Sequence, residues 1–516
     1  MRRIALTFAV ILCVLAVPPV ALVQTREPVD LDAIYKIKDE GFYRSKIMET
    51  MSYLTDIYGP RLTNSPGMHA AADWTIKTLT EWGMANVKKE PWGPFGRGWR
   101  NNRISMHVVS PQRYPVIAHP VAWSVGTNGP VTAEAVLARI TTEADFEKFR
   151  GQLKGKFVLT DPMREVPPQM EAPGRRYTDE ELAERAEQPV PTAADRPAGR
   201  FAGQRGFRRR LLEFLVQEGA AGLIQPSPWN NGLVRIGGTE RDPKAPNLPM
   251  VVIAIEHYGR IYRTLEKKMP VSIELDVQNE FFEQDLNSYN IIAEIPGTDK
   301  AGEVVMLGAH FDSWHPGTGA TDNAAGSAVM MEALRILKAS GLKLRRTVRL
   351  ALWTGEEQGL LGSREYVKAN FADPADMKLK PGHAKLSGYF NIDNGTGKIR
   401  GIYLQRNEAI RPVFEAWMEP FRNLGMTTIS PRDTGGTDHL AFDAVGLPGF
   451  QFIQDPMEYS TKTHHTNMDT YERIQEADMK QMAVIVASFV YHAANREGLL
   501  PREPLPPPTP QPRRDE

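Results

Sequence analysis

The sequence predicts an α/β protein in which a mostly parallel mixed sheet, flanked by helices, is interrupted by an inserted mixed α/β region. Three observations carry this. From residue 287 to about 496, short apolar runs alternate with helical patterns, as in a parallel sheet with crossover helices. Four of those runs each end beside a residue able to hold a metal ion. Between about residues 116 and 274 the pattern changes to short strands and turns before the alternation resumes.

The chain opens with Arg2 and Arg3 and then an apolar run over residues 4–17. That is the order of a secretory signal, with cleavage expected between Ala21 and Thr25. An uncleaved anchor is the alternative, although Pro18 and Pro19 interrupt a stretch already short for a span. Cys13 is the only cysteine, so the chain beyond residue 24 can form no disulfide, which fits bacterial export to the periplasm or medium. Residues 28–84 read as helical: 40–58 carry apolar residues at helical spacing up to Gly59-Pro60. A turn-rich stretch, GPRLTNSPG, leads to a second amphipathic helix over 68–82, and 87–92 read as a strand.

In the middle region, residues 133–140, 156–160, 219–224 and 251–255 read as strands and 211–218 as a helix. Arg208-Arg209-Arg210 reads as that helix's solvated face. Residues 165–200, rich in proline and charge, read as a solvated, mobile insertion. The expected organisation is a signal segment (1–24), a catalytic domain in two parts (28–115 and 280–498), an inserted domain (116–274) and a disordered proline-rich tail (499–516).

Lys+Arg and Asp+Glu balance at 62 each, so no global field argues for nucleic acid or an anionic membrane. Hydrophobic content of 41% and charged content of 24% are those of an ordinary soluble chain. No stable membrane partner is expected once the signal is removed, and the oligomeric state stays open.

The chemistry lies in the second half. His310 and Asp312 follow the apolar run 304–307, and Asp322 heads the helical pattern 324–338. Glu356 and Glu357 follow the run 347–353, Asp393 follows 386–392, and His464-His465 follow 449–453 and a loop. One His-x-Asp pair alone is more often surface polarity or capping; four strand ends bearing ligand types are a different matter. Two histidines with several carboxylates and no thiolate describe a zinc or manganese site. Two cations about 3.5–4 Å apart suit hydrolysis, and they need a bridging carboxylate. Asp322 is the best candidate for the bridge, with His310 and Asp393 completing one metal and Glu357 and His465 the other. Glu356 is then left to take a proton from water and pass it to a leaving amine. Asp312 is expected to accept a hydrogen bond from His310 and orient it.

The motifs HFDSW, GATDNAAG, WTGEEQGLLGS, NID, GGTDHLAF and HHTNMDT resemble those of the co-catalytic zinc exopeptidases. That family includes secreted bacterial aminopeptidases and plasma glutamate carboxypeptidase (carboxypeptidase Q). The resemblance covers residues 28–92, with GPRLTNSPG as a familiar opening, and 287–496; the middle region is similar to the protease-associated domain often inserted there. It implies the zinc exopeptidase fold, two zinc ions and peptide substrates. It also implies zinc ligands at His310, Asp322, Glu357, Asp393 and His465, with Glu356 as base. His464, Asp438, Asp469, Trp314 and His315 stand near the motifs, each with a pocket, capping or packing role open to it. Two other readings share the scaffold: a glutaminyl-cyclase-like enzyme and a catalytically silent binding ectodomain. Amino- versus carboxypeptidase polarity is not written in any single residue.

Overall fold

The computed structural model describes residues 27–191 and 202–509. The expected signal segment, with Cys13, and the last seven residues of the tail lie outside the described residues, as does part of the 165–200 stretch. Among the described residues no helix is long and apolar enough to cross a membrane.

Two eight-stranded mixed sheets organise the chain. The strands of the first, in chain order, are β1 (Ala85–Trp92), β2 (Ser288–Ile295), β3 (Lys300–His310), β4 (Arg346–Trp353), β5 (Leu386–Asn391), β6 (Ile399–Tyr403), β7 (Thr428–Ser430) and β8 (Gly449–Gln454). Their spatial order is β1-β2-β4-β3-β5-β8-β6-β7. The central block β4-β3-β5-β8 is parallel throughout, so its carboxyl ends share one edge. Sites form at that edge in open α/β sheets.

Successive residues of β3 feed two cores, which is why it reads as one apolar run rather than an alternation. Val305, Leu307 and Ala309 pack with the helices Ala325–Ala339, Glu476–Asn495 and Leu31–Tyr43. Met306 faces the other way, among Trp353, Tyr366, Tyr389 and Phe442. Gly308 is dictated by contact: a Cβ there would lie 2.3 Å from the Ala351 carbonyl oxygen. A buried ion network, Arg335 with Glu332 (2.8 Å) and Glu40 (2.6 Å), ties the amino-terminal helix to this core.

The second sheet runs from Gly98–Ser110 to Ser272–Phe282 in sequence. Its strands therefore extend beyond the expected limits of 116 and 274 on both sides. These two long strands pair with each other, and together they carry the chain out of and back into the first sheet. The helix Ile255–Glu266 covers the second sheet with Tyr258, Ile261 and Tyr262.

Three further expectations are corrected. The helix read over 40–58 is broken at residues 44–46 into Leu31–Tyr43 and Ile47–Ser52. The Ser45 hydroxyl accepts the Ile47 N–H (3.2 Å), the local competition that makes serine a poor helix-interior residue. The stretch after residue 165 is not simply a solvated insertion. Arg175 pairs with Met457, and the helix Asp179–Glu187, opened by a Thr178/Glu181 capping box, lies on β7. Residues 500–502 of the tail are docked on the first sheet's unit rather than disordered. Leu500 is buried, Arg502 donates to the His383 and Leu386 carbonyls (3.0 and 2.6 Å), and Asn407 donates to Pro501 O (2.8 Å). Proline has little conformational freedom to lose, so such a segment orders cheaply around one apolar anchor.

Candidate metal centre

β3 ends on His310, and the ring is oriented at once by its own chain. Nδ1 lies 3.0 Å from the Asp312 carbonyl oxygen, which can only accept, so Nδ1 carries the hydrogen and Nε2 is turned into the site. Nε2 is 3.2 Å from Asp322 Oδ1, 3.3 Å from Asp393 Oδ1 and 4.0 Å from Glu356 Oε2. Asp322 presents its other oxygen, Oδ2, to His465 Nε2 at 3.2 Å, and the same Nε2 is 2.9 Å from Glu357 Oε2. The structure thus brings all five expected ligands and Glu356 together at the ends of four adjacent parallel strands. Asp322 lies between two histidines, one on each oxygen.

The donor set fits divalent cations. Glu357 Oε1 is buried and accepts no hydrogen bond among the described residues. Two groups of potential ligand atoms, His310/Asp322/Glu357 and Asp322/His464/His465, each lie within 4.8 Å and share Asp322. Buried carboxylates in that number persist only if protons or metals balance them. Asp312 does not have the expected role. Its carboxylate is 3.8 Å from His310 Nδ1 and instead accepts the Thr63 hydroxyl (2.8 Å) and the Glu356 and Glu357 N–H groups (3.3 and 3.4 Å). It fixes the turn that aims the glutamate pair, while its backbone oxygen fixes the histidine.

Residues 290–490 match peptidase family M28. Over that stretch the chain is similar to the family. Rat carboxypeptidase Q is 26% identical over 474 residues, covering 91% of this chain and 90% of its own length. A peptidase M28 precursor from Shewanella amazonensis superposes with a TM-score of 0.66 at 26% identity, over 92% of this chain and 98% of its own. A zinc aminopeptidase from Bacillus subtilis shares the fold, with a TM-score of 0.56 at 21% identity over 88% of this chain and 95% of its own. The peptidase's match region contains all the candidate ligands and leaves out the supporting residues of the amino-terminal segment.

Foremost among those is Arg61, within the turn-rich stretch GPRLTNSPG. It is fully buried, and it donates to four carbonyls: Phe311 (2.8 Å), Leu54 (2.6 Å), Thr318 (3.0 Å) and Gly319 (2.9 Å). The guanidinium thereby holds both ends of the loop between His310 and Asp322. Burial lowers it to about 10, against the pull of Asp469, Asp312, Asp322 and Glu357. From the other side, Asp469 accepts the Thr321 and Asp322 N–H groups (2.7 and 3.2 Å). Asp438 is buried at the start of the helix His439–Asp443 without capping it. His315 donates to Pro120 O at 2.8 Å and packs edge-on against Trp99, away from the ligands. Trp314, by contrast, is edge-on to His465 (6.1 Å) and to Trp123 (6.0 Å) of the second sheet's unit. A cleft of about 1270 Å³ opens over Asp322, Glu356, Glu357 and Asp393, walled by Trp123, Trp314, Tyr459 and His464.

Burial, with the charges of Asp393, Asp438 and Glu357, pushes Glu356 well above the usual carboxylate range against the pull of His310. Burial, with Asp322, likewise pushes Glu357 up to about 7. Burial opposes charge on His465, yet Glu357 and Asp322 raise it to about 10. In the metal-free peptidase the latter two groups favour folding below their ordinary values of 4.5 and 6.5. That contribution is lost as pH rises through about 7 and about 10. A metal ion must displace the same protons. The rise in melting temperature on adding zinc is therefore expected to grow from pH 6 to pH 9, with protons released on binding. Calorimetry in buffers of different ionisation enthalpy checks the release; a zinc effect independent of pH would contradict the raised values.

Proposed function

We propose that this chain is an exported exopeptidase that binds two zinc ions and hydrolyses the peptide bonds of small peptides. The observation that carries the reading is Asp322 facing His310 and His465 at 3.2 Å with separate oxygens. His310, Asp393 and Asp322 form one metal position; Glu357, His465 and Asp322 form the other. When bound, the zinc pair supplies Lewis acidity to the scissile carbonyl and lowers the pKa of water. The chain's own work is orientation and proton movement. Glu356, buried beside His310 but not among its nearest partners, takes the proton of the attacking water at its carboxylate and delivers it to the leaving amine. Asp312 and Thr63 hold the turn that presents it. Trp123, Trp314 and Tyr459 wall the cleft and reduce water around the reacting groups.

The unit built on the second sheet is read as a protease-associated-like domain that narrows access to this cleft. The amino-terminal charged and apolar segment is read as a cleaved signal, with the periplasm or medium as destination.

The test is purified protein, metal analysis and a peptide panel. About two zinc ions per chain are expected, with activity lost in a chelator and restored by zinc. Free-amine dipeptides, N-blocked dipeptides and a longer peptide separate aminopeptidase from carboxypeptidase Q-like dipeptidase polarity. A cyclised product would favour the glutaminyl-cyclase-like reading; protein without stoichiometric zinc would favour a silent ectodomain and overturn the proposal.

A further inference from the structure

The loop that carries His464 and His465 is gripped on two sides by chain segments of the second sheet's unit. It begins at Asp455, directly after β8, and Asp455 is wholly buried. Three donors converge there: Arg176 Nη1 (2.9 Å), the Tyr177 N–H (3.0 Å) and Arg400 Nη1 (3.0 Å). Arg176 Nη1 also reaches Asp478 at 2.7 Å, on the helix Glu476–Asn495. Alongside, Arg175 and Met457 exchange both backbone hydrogen bonds (3.2 and 2.9 Å), and Thr461 donates to Pro173 O (2.5 Å). This first grip comes from the strap that leaves the second sheet after its strand Phe157–Leu159.

The second grip follows the strand Gly222–Pro226. The Ile236 N–H donates to His465 O (3.0 Å), the Asn467 N–H to Val234 O (3.2 Å) and the Val234 N–H to Asn467 Oδ1 (2.8 Å). Residues 234–236 and 465–467 thus run as a short antiparallel ladder around the Arg235/Thr466 bridge. His465 needs this support, because its φ is +62°, a region that non-glycine residues hold only when their surroundings fix them.

We infer that Arg176 and Asn467 are positioning residues for His465, so that the metal position it shares with Glu357 is built jointly by both units. The other position takes His310 from the end of β3 and Asp393 from just beyond β5, both strands of the first sheet. The second unit is then part of the site's foundation and not only a wall. This rests on the two-zinc reading above, and the experiment separates the two.

Zinc affinity of the full chain is measured by competition with a chromophoric chelator, for the native protein, Arg176→Ala, Arg176→Lys and Asn467→Ala. Outer partners of ligating residues typically change metal affinity about 10–100-fold, so the weaker of two zinc steps is expected to fall by that factor in both alanine variants. The tighter step should stay within about threefold, well below the fall expected where an outer partner is lost. Arg176→Lys, which keeps one ion pair to Asp455 or Asp478, should fall between. Two unchanged steps in both alanine variants, or an equal loss of both steps that lysine does not relieve, would overturn the inference. If Arg176→Ala does not fold, Asn467→Ala decides alone. Native protein without two zinc steps would defeat the proposed function rather than this assignment.

Discussion

Replacing Glu356 by glutamine is expected to cut turnover by about 10²–10⁴-fold, the usual contribution of a positioned general base, while both zinc ions stay bound. Glutamine keeps the shape and loses the basic oxygen. The neighbouring substitution should behave differently. Glu357 Oε2 is the carboxylate atom nearest His465 Nε2, at 2.9 Å, so Glu357→Gln exchanges an anionic ligand for a neutral one. One zinc should weaken or leave, and activity should then depend on added metal. Zinc stoichiometry and turnover measured in parallel decide between the roles. Equal metal loss in both variants, or full activity in Glu356→Gln, would sink the assignment.

The second large effect is expected at Arg61, outside the region that matches family M28. Arg61→Met is close in volume but removes the donor to four carbonyl oxygens, of which that of Gly319 keeps the Ala324 N–H (3.0 Å). Bonds to charged groups are worth about 1.5–3 kcal/mol each and a stranded buried acceptor costs about 1–3, so a stability loss of at least 3 kcal/mol is expected. Because the same carbonyls shape the loop between His310 and Asp322, zinc retention should fall with it. Chemical denaturation with and without a chelator measures both; a variant as stable as the native protein would show that the loop holds itself.

The site was legible because several of its residues end apolar runs: His310 ends β3 itself, and Glu356, Glu357 and Asp393 come two to four residues beyond β4 and β5. A parallel sheet then collects those ends without further instruction. What the sequence hid are partners separated by long stretches of chain. Arg176 reads as one cation in a polar stretch, and only the fold reveals that Asp455, 279 positions away, is buried against it. The long strand Gly98–Ser110 carries Arg100, Asn101, Asn102 and Arg103 in mid-course and shows no clean alternation, so the second sheet's start was placed too late. Leu499, Leu500 and Leu505 are scattered among prolines and charges, too little pattern to predict that Leu500 is buried.

The antiparallel pairing of β1 with β2 has a consequence for synthesis. Ala85 pairs with Glu294 and Trp92 with Ser288, so β1 leaves the ribosome long before its partner. Its amino-terminal companions wait longer still. Ile34, Ile37, Met51 and Leu54 bury their side chains in the core formed with the helices Ala325–Ala339 and Glu476–Asn495, both of which are made far later. At about 5–20 residues per second, that leaves the first segment's apolar faces uncovered for tens of seconds. The second sheet can close meanwhile, since all its strands lie within residues 98–282. Nascent chains of this peptidase should therefore carry an early-made, late-docking segment, the natural place for a chaperone to hold.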